Sequence, residues 1–240
     1  MFAYLLGIPV AICLVPPIAV ALVGTSRVRS ALCWSALFLG LLILDIALVY
    51  LPLQSGVYEA LHLQWNWFGK FLSVIWAVLF LAFGPLSFQD AGVRKPRSGT
   101  GKSASIVVVV LAAVAFVAHW FLASGASRSV ETLLYQLTMP AIAEELVFRG
   151  VLFAVLERAF REATQGAHWW QSRSVWVTAL AFALFHGWFV SHGIFHFNAV
   201  ACIFPFVFGV IAGALRKRTG SLWFPMALHS IVDFAAAVFP

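Results

Sequence analysis

Ala143-Glu144-Glu145-Leu146-Val147-Phe148-Arg149-Gly150 lies inside an apolar run, about Val130–Leu156, that is long enough to cross a bilayer. A charge at the bilayer centre costs about 3 kcal/mol on insertion scales and more in simulation. Three charges within six residues of such a run are therefore read as a functional site inside the membrane.

The rest of the chain supports a membrane setting. Hydrophobic residues make up 62% of it and charged residues only 10%. A soluble domain is nearer half apolar and a quarter charged. The apolar runs are too long for the strands of an outer-membrane barrel. The expected fold is all-α: a polytopic membrane helix bundle of about eight transmembrane helices, one integrated domain over 240 residues. The net charge of +6 comes from basic residues in short loops, which read as orientation signals and not as a nucleic-acid surface. Cys13, Cys33 and Cys202 fall in apolar runs at no metal-like spacing and read as small buried hydrophobes. The N-terminus lacks the basic region and cleavage site of a signal peptide. Neither end shows a soluble domain, and there is no internal repeat.

The first run, about Phe2–Gly24, contains Pro16-Pro17, a predicted kink. The second, about Ala31–Leu53, holds one acid, Asp45, read as bonded to a neighbouring helix. The segment Gln54–Gly69, with Tyr58, Glu59, Trp65 and Trp67, reads as an interfacial loop with aromatic anchors. The third run is about Phe71–Phe88, followed by the basic Gly/Ser linker Gln89–Ser105 and a fourth run, about Ile106–Ala123. The fifth is Val130–Leu156, and the sixth, about Ser174–Val190, contains Phe182 and His186. The seventh, about Ile194–Leu215, carries Gly209 and Gly213 at a spacing that permits close helix approach. The eighth, about Leu222–Phe239, holds His229 and Asp233. Residues 1–125 are expected to form unassigned membrane helices and 126–240 the core that carries the chemistry.

With the N-terminus outside, the inner loops hold Arg27, Arg29, Arg94, Lys95, Arg97, Lys102, Arg158, Arg161, Arg173, Arg216, Lys217 and Arg218. The outer segments hold only Lys70 and Arg128. Twelve against two is the asymmetry the positive-inside rule predicts, and it places both termini outside.

Helical rise then sets depth. Glu144 and Glu145 lie roughly 20 Å from the outer end of their span, His186 roughly 18 Å from the inner end of its own, and His229 with Asp233 roughly 10–18 Å up the eighth. In a core about 30 Å thick these depths overlap near the midplane. Glu145 and Arg149 are four apart and can pair on one helical face. Glu144 points about 100° away, without that partner, and is the candidate general base. His229 and Asp233 also share a face, where the acid can fix the imidazole tautomer.

Glu144-Glu145-Leu146-Val147-Phe148-Arg149, Phe182-Ala183-Leu184-Phe185-His186 and His229-Ser230-Ile231-Val232-Asp233 stand in this order on successive predicted helices. The ordered triple resembles the motif set of the CPBP intramembrane proteases, also called Abi or type II CAAX prenyl endopeptidases. The approach through Gly209, Gly213, Thr219-Gly220-Ser221-Leu222-Trp223 and Pro225 is similar as well, so the resemblance covers about residues 130–236. It implies a glutamate-dependent peptidase without cofactor. Glu144 with His186 would activate water, and His229, helped by Asp233, would stabilise the oxyanion. Glu145 and Arg149 would be structural, with Phe182 supporting the site. The implied partners are the lipid bilayer and a membrane-embedded or lipidated peptide or protein.

Where many members have Asn, this chain has Asp233, and an ionised carboxylate repels an oxyanion. Either Asp233 is protonated in a low-dielectric site, or, the favoured reading, it orients His229 and another group donates to the oxyanion. Two other readings use the same residues. One is a zinc metalloprotease with Glu144, His186 and His229 as ligands, although no His-Glu-x-x-His is present. The other is a proton-coupled transporter or non-catalytic scaffold, since midplane ionisable residues also mark proton relays. His192 and His196, expected one turn apart at the outer surface, read as an interfacial pair, with an entrance-lining role as the alternative. The loop-charge bias suggests a prokaryotic cytoplasmic membrane.

Overall fold

Each of the eight apolar runs contains a helix in the computed structural model, which describes residues 3–23, 27–122, 129–161 and 168–239. Arg128 and the boundary at 125/126 lie outside the described residues. A 3₁₀ turn, Ala3–Leu6, leads into α1 (Gly7–Ala21), which carries Pro16 and Pro17 within it. The helices α2 (Val28–Tyr50), α3 (Trp67–Phe83) and α4 (Gly101–Leu122) follow. Next, α5 (Val130–Glu144) runs without a break into a π-helix (Glu145–Leu152) and then α6 (Phe153–Phe160). The remaining helices are α7 (Arg173–Gly187), α8 (Ile203–Thr219) and α9 (Trp223–Val238).

Among the described residues, four helical segments are long and apolar enough to cross a bilayer: Ala3–Ala21, Val28–Gln54, Gly101–Leu122 and Val200–Thr219. Trp67–Phe83 and Trp223–Val238 are apolar but shorter. The molecule is an integral membrane protein of helical architecture, with large apolar side chains such as Phe83, Phe121 and Phe204 on its exterior. In lipid such a surface carries no hydrophobic penalty.

Several runs begin elsewhere than the hydropathy pattern suggests; the helix of the fourth, for one, starts at Gly101, inside the expected linker Gln89–Ser105. The helix in the third run starts at Trp67, because Asn66 caps it by accepting a hydrogen bond from the Gly69 amide at 3.0 Å. Lys70 therefore lies inside α3 and is buried, not in an outer loop. The predicted seventh run is also divided. Ile194–Phe197 is a strand (β2) paired antiparallel with β1 (Trp188–Ser191), and the helix begins only at Ile203. His192 and Gly193, both at positive φ, form the two-residue turn that a tight hairpin requires. His192 and His196 are consequently not one helical turn apart: His192 is in the turn, and His196 stacks on Phe189 across the hairpin. A further difference concerns the cysteines. Cys13 and Cys33 are exposed on the helix exterior and Cys202 is half-buried, since these apolar positions face outward from the bundle.

The core is built around the π-helical segment, whose eight residues are all buried. α7 and α8 pack closely beside it. A Cβ on Gly209 would stand 2.9 Å from the Ala179 Cα, and one on Gly213 would stand 3.2 Å from Val175 Cγ1. The small-residue spacing thus sets the α7–α8 distance. α9 packs against α5 and α4, and α3 packs against α5 and α2. Asp45 ties α2 to α3 by accepting hydrogen bonds from the Ser73 hydroxyl and, at 2.8 Å, from Trp76 Nε1. A neighbouring helix therefore satisfies it, as the sequence suggests.

Candidate active site

Four elements bring ionisable side chains to one place. The end of α5 supplies Glu144, α7 supplies His186, α9 supplies His229 and Asp233, and α3 supplies Lys70. Glu144, His186, His229 and Asp233 all line one cavity of about 840 Å³, with Lys70 and Phe182. The π-helix that starts at Glu145 aims consecutive carboxylates to different partners; such irregular turns recur at functional sites.

Glu145 faces away from the cavity. Its Oε1 accepts from Arg149 Nη1 at 2.9 Å and lies 2.8 Å from His229 Nδ1. Arg149 is wholly inaccessible to solvent, and its guanidinium lies 4.2 Å from the centre of the Phe182 ring. The Phe208 ring is 5.6 Å away on the same cation. Ion pairing and ring faces together offset the cost of burying this charge. The expected Glu145–Arg149 pair is present, but it also holds an imidazole from another helix.

Glu144 is not without a cation. Lys70 Nζ donates to its Oε1 at 2.5 Å, and both side chains are buried. Sequence reasoning misses Lys70 because it sits at the edge of a run, where lysines ordinarily extend to the interface. A signal exists nonetheless: a second buried carboxylate needs a second cation, and Lys70 is flanked by apolar residues on both sides.

The other oxygen of Glu144, Oε2, is buried and has no hydrogen-bond partner among the described residues. It lies 4.0 Å from His186 Nε2 and 3.9 Å from His229 Nε2. His186 Nδ1 is 2.8 Å from the Phe182 carbonyl oxygen. A carbonyl only accepts, so Nδ1 carries a proton, and in the neutral form of the ring the lone pair is on Nε2, on the side of Glu144. His229 is held on both sides, with Glu145 at Nδ1 and Asp233 Oδ2 at 3.4 Å from Nε2. Phe182 packs against both rings, with centroids 4.5 Å from His186 and 6.0 Å from His229.

From this floor the cavity runs past Tyr135, Gln136 and Pro140 to Leu53, Tyr58 and Trp65 of the loop after α2. That loop is fastened to the first turn of α5. Glu131 accepts from the Gln64 amide at 3.0 Å and from Trp67 Nε1 at 3.1 Å, and Thr132 Oγ1 accepts from Trp65 Nε1 at 2.9 Å. Trp65 stacks on Tyr135 at 5.1 Å. His192 and His196 do not line the cavity. Among the described residues, no group of three His, Cys, Asp or Glu side chains is arranged to hold a metal ion.

Residues 126–235 match the family model described as type II CAAX prenyl endopeptidase, Rce1-like. The matched stretch contains every ionisable residue at the cavity floor except Lys70. Comparison with curated proteins and with solved structures gave no match.

Proposed function

Residues 126–235 belong to the CPBP family, the type II CAAX prenyl endopeptidases, and from that premise we propose that the chain is an intramembrane endopeptidase in which Glu144 and His186 activate the attacking water. The family indicates a peptidase acting on a membrane-associated peptide. The glutamate and histidine chemistry is our own reading. One observation carries it: Glu144 Oε2 is buried and unpartnered among the described residues at the floor of the cavity, flanked at 3.9–4.0 Å by two imidazole nitrogens. Such separations are too long for direct hydrogen bonds and are of the size that one shared water can bridge.

In this reading the water donates to Glu144 Oε2 and to the His186 Nε2 lone pair, and its oxygen adds to the peptide carbonyl carbon. Its proton passes to these groups and then to the leaving amine as the C–N bond breaks. His229 Nε2–H donates to the oxyanion. His229 stands between two carboxylate oxygens, Glu145 Oε1 at Nδ1 and Asp233 Oδ2 at Nε2, and these acceptors favour a ring that donates from both nitrogens. Asp233 orients this ring. The zinc reading is disfavoured because an ammonium already occupies Glu144 Oε1.

Eight crossings and outer termini belong to the same reading, with residues 1–125 as accessory helices to the catalytic part. The cavity opens beside Leu53, at the C-terminal end of α2, while Arg27 stands at the N-terminal end of the same helix. A helix of 23 residues is about 34 Å long, enough to put these two ends on opposite faces of a bilayer that it crosses. The arginine-rich loops mark the inner face. The substrate is then a peptide segment presented from the outer side of a prokaryotic cytoplasmic membrane. Comparing membrane proteomes of cells carrying the native chain or Glu144→Gln tests the reading. Uncut substrates accumulate in the variant; identical proteomes would remove the proposal.

A further inference from the structure

A second cavity, of about 520 Å³, lies at the other end of the bundle. Six arginines line it: Arg27, Arg94, Arg97, Arg158, Arg161 and Arg216. Among the described residues only two carboxylates line it with them: Asp90, which pairs with Arg158 at 3.1 Å, and Glu157, which pairs with Lys217 at 2.6 Å. These arginines come from the starts and ends of α2, α6 and α8 and from the linker before α4, segments far apart in sequence. Orientation of the chain in a membrane needs basic loops on one side, but it does not need them gathered around one concavity.

The gathering is built into the backbone. Arg94 Nε donates to the Gly220 carbonyl at 3.0 Å, and Arg97 Nη1 donates to the Lys217 carbonyl at 3.0 Å. Arg216 donates from Nε to the Arg149 carbonyl at 3.1 Å and from Nη2 to the Asp90 carbonyl at 2.6 Å. A carbonyl orients a guanidinium without cancelling its charge. Two glycines make room for this arrangement. Gly92 is at φ +82°, and a Cβ there would stand 2.5 Å from Arg216 Nε. Gly220 is at φ +69°, and a Cβ there would stand 2.6 Å from Arg94 Nη2. Trp34, two turns into α2 from Arg27, gives the cavity an apolar wall on the membrane side.

We infer that this cavity is a binding site for a phosphate group. Guanidinium forks match phosphate oxygens bidentately, and basic pockets between helices at the cytoplasmic surface suit anionic lipid headgroups. The same chemistry, a phosphate with no compensating cation of its own, is offered by an anionic phosphodiester headgroup and by free phosphate. Phosphate binding at this end of the bundle is independent of the proposed peptidase activity.

The test uses the full chain in detergent, titrated separately with short-chain phosphatidylglycerol, short-chain phosphatidylcholine and inorganic phosphate, with the thermal midpoint as readout. Phosphatidylglycerol is expected to raise the midpoint and phosphatidylcholine is not. A rise with inorganic phosphate as well identifies free phosphate as a second source. The double variant Arg27→Gln/Arg158→Gln should weaken apparent affinity by about tenfold for each guanidinium removed from the phosphate. Arg29→Gln/Lys95→Gln, which removes two charges from the same face outside the cavity, should keep it. Native mass spectrometry of the unmutated protein, scored for retained phosphatidylglycerol over phosphatidylcholine, decides the matter if the cavity variant does not fold. No midpoint shift with any phosphate-bearing anion, or equal weakening in both double variants, overturns the inference.

Discussion

Lys70 Nζ stands 2.5 Å from Glu144 Oε1, joining the N-terminal membrane helices to the stretch that carries the family motifs. The pair divides the two oxygens of one carboxylate: Oε1 is committed to the ammonium, and Oε2 faces the imidazoles. Removing the cation leaves Glu144 buried and uncompensated, which costs about 3–5 kcal/mol. Lys70→Met should therefore lower the unfolding midpoint and abolish cleavage in the proposed reaction, while Lys70→Arg restores folding more fully than turnover. Paired thermal melts and cleavage assays on the two variants check this. Native activity in Lys70→Met would show that the pair has no catalytic part.

Glu144 and Glu145 are neighbours with opposite expectations. Glu144→Gln keeps shape and a hydrogen bond to Lys70 but removes the base, so cleavage should fall by at least about 100-fold with the fold retained. Glu145→Gln weakens the hold on both Arg149 and His229, a buried network whose disruption costs about 3–5 kcal/mol. Its main effect should be on the unfolding midpoint. Circular dichroism melts beside turnover separate the two; equal profiles would end the division of labour.

Four of the ionisable residues at the cavity floor are legible in the sequence because charges in apolar runs stand out. Helical rise puts Glu144, His186, His229 and Asp233 at one depth, and they line one cavity. Three features are not legible. Lys70 lies at a run boundary, where hydropathy does not distinguish an interfacial lysine from a buried one. The second contact of Glu145, to His229, crosses between helices, and sequence spacing reports only pairs within one helix. The hairpin Trp188–Phe197 is apolar and aromatic, so it merges into the flanking helical runs, and only the turn at His192-Gly193 reveals its period.

Asp233 is the weaker of the two acids on His229. Its Oδ2 is 3.4 Å from Nε2, whereas Glu145 Oε1 is 2.8 Å from Nδ1. Glu145 alone can hold the ring, so Asp233→Asn should keep cleavage within about tenfold of native, far less than the drop expected for removal of a general base. Steady-state kinetics on the variant decide this. A drop as large as that of Glu144→Gln would instead require the carboxylate.

Chelation separates the glutamate reading from the zinc reading. A ligating Glu144 would have to displace Lys70 from Oε1 or bind through Oε2 alone. Extended treatment with EDTA or phenanthroline should leave cleavage unchanged in the proposed mechanism, with inactivation and restoration by added zinc as the opposing result.

The face to which the cavity opens is testable without a substrate. Ser55 lies in the loop beside the cavity mouth and is exposed, and Ser98 lies in the arginine-rich linker and is also exposed. In a background with Cys13, Cys33 and Cys202 changed to Ala, Ser55→Cys should react with a membrane-impermeant maleimide added to intact cells. Ser98→Cys should react only after the membrane is opened. The two sites are tied to opposite faces by α2, which carries Arg27 at one end and Leu53 just past the other, so both cannot lie on one side if α2 spans the bilayer. The opposite labelling pattern would turn the cavity inward and require substrates presented from the cytoplasm. Equal labelling of both sites in intact cells would remove the spanning assignment of α2 itself.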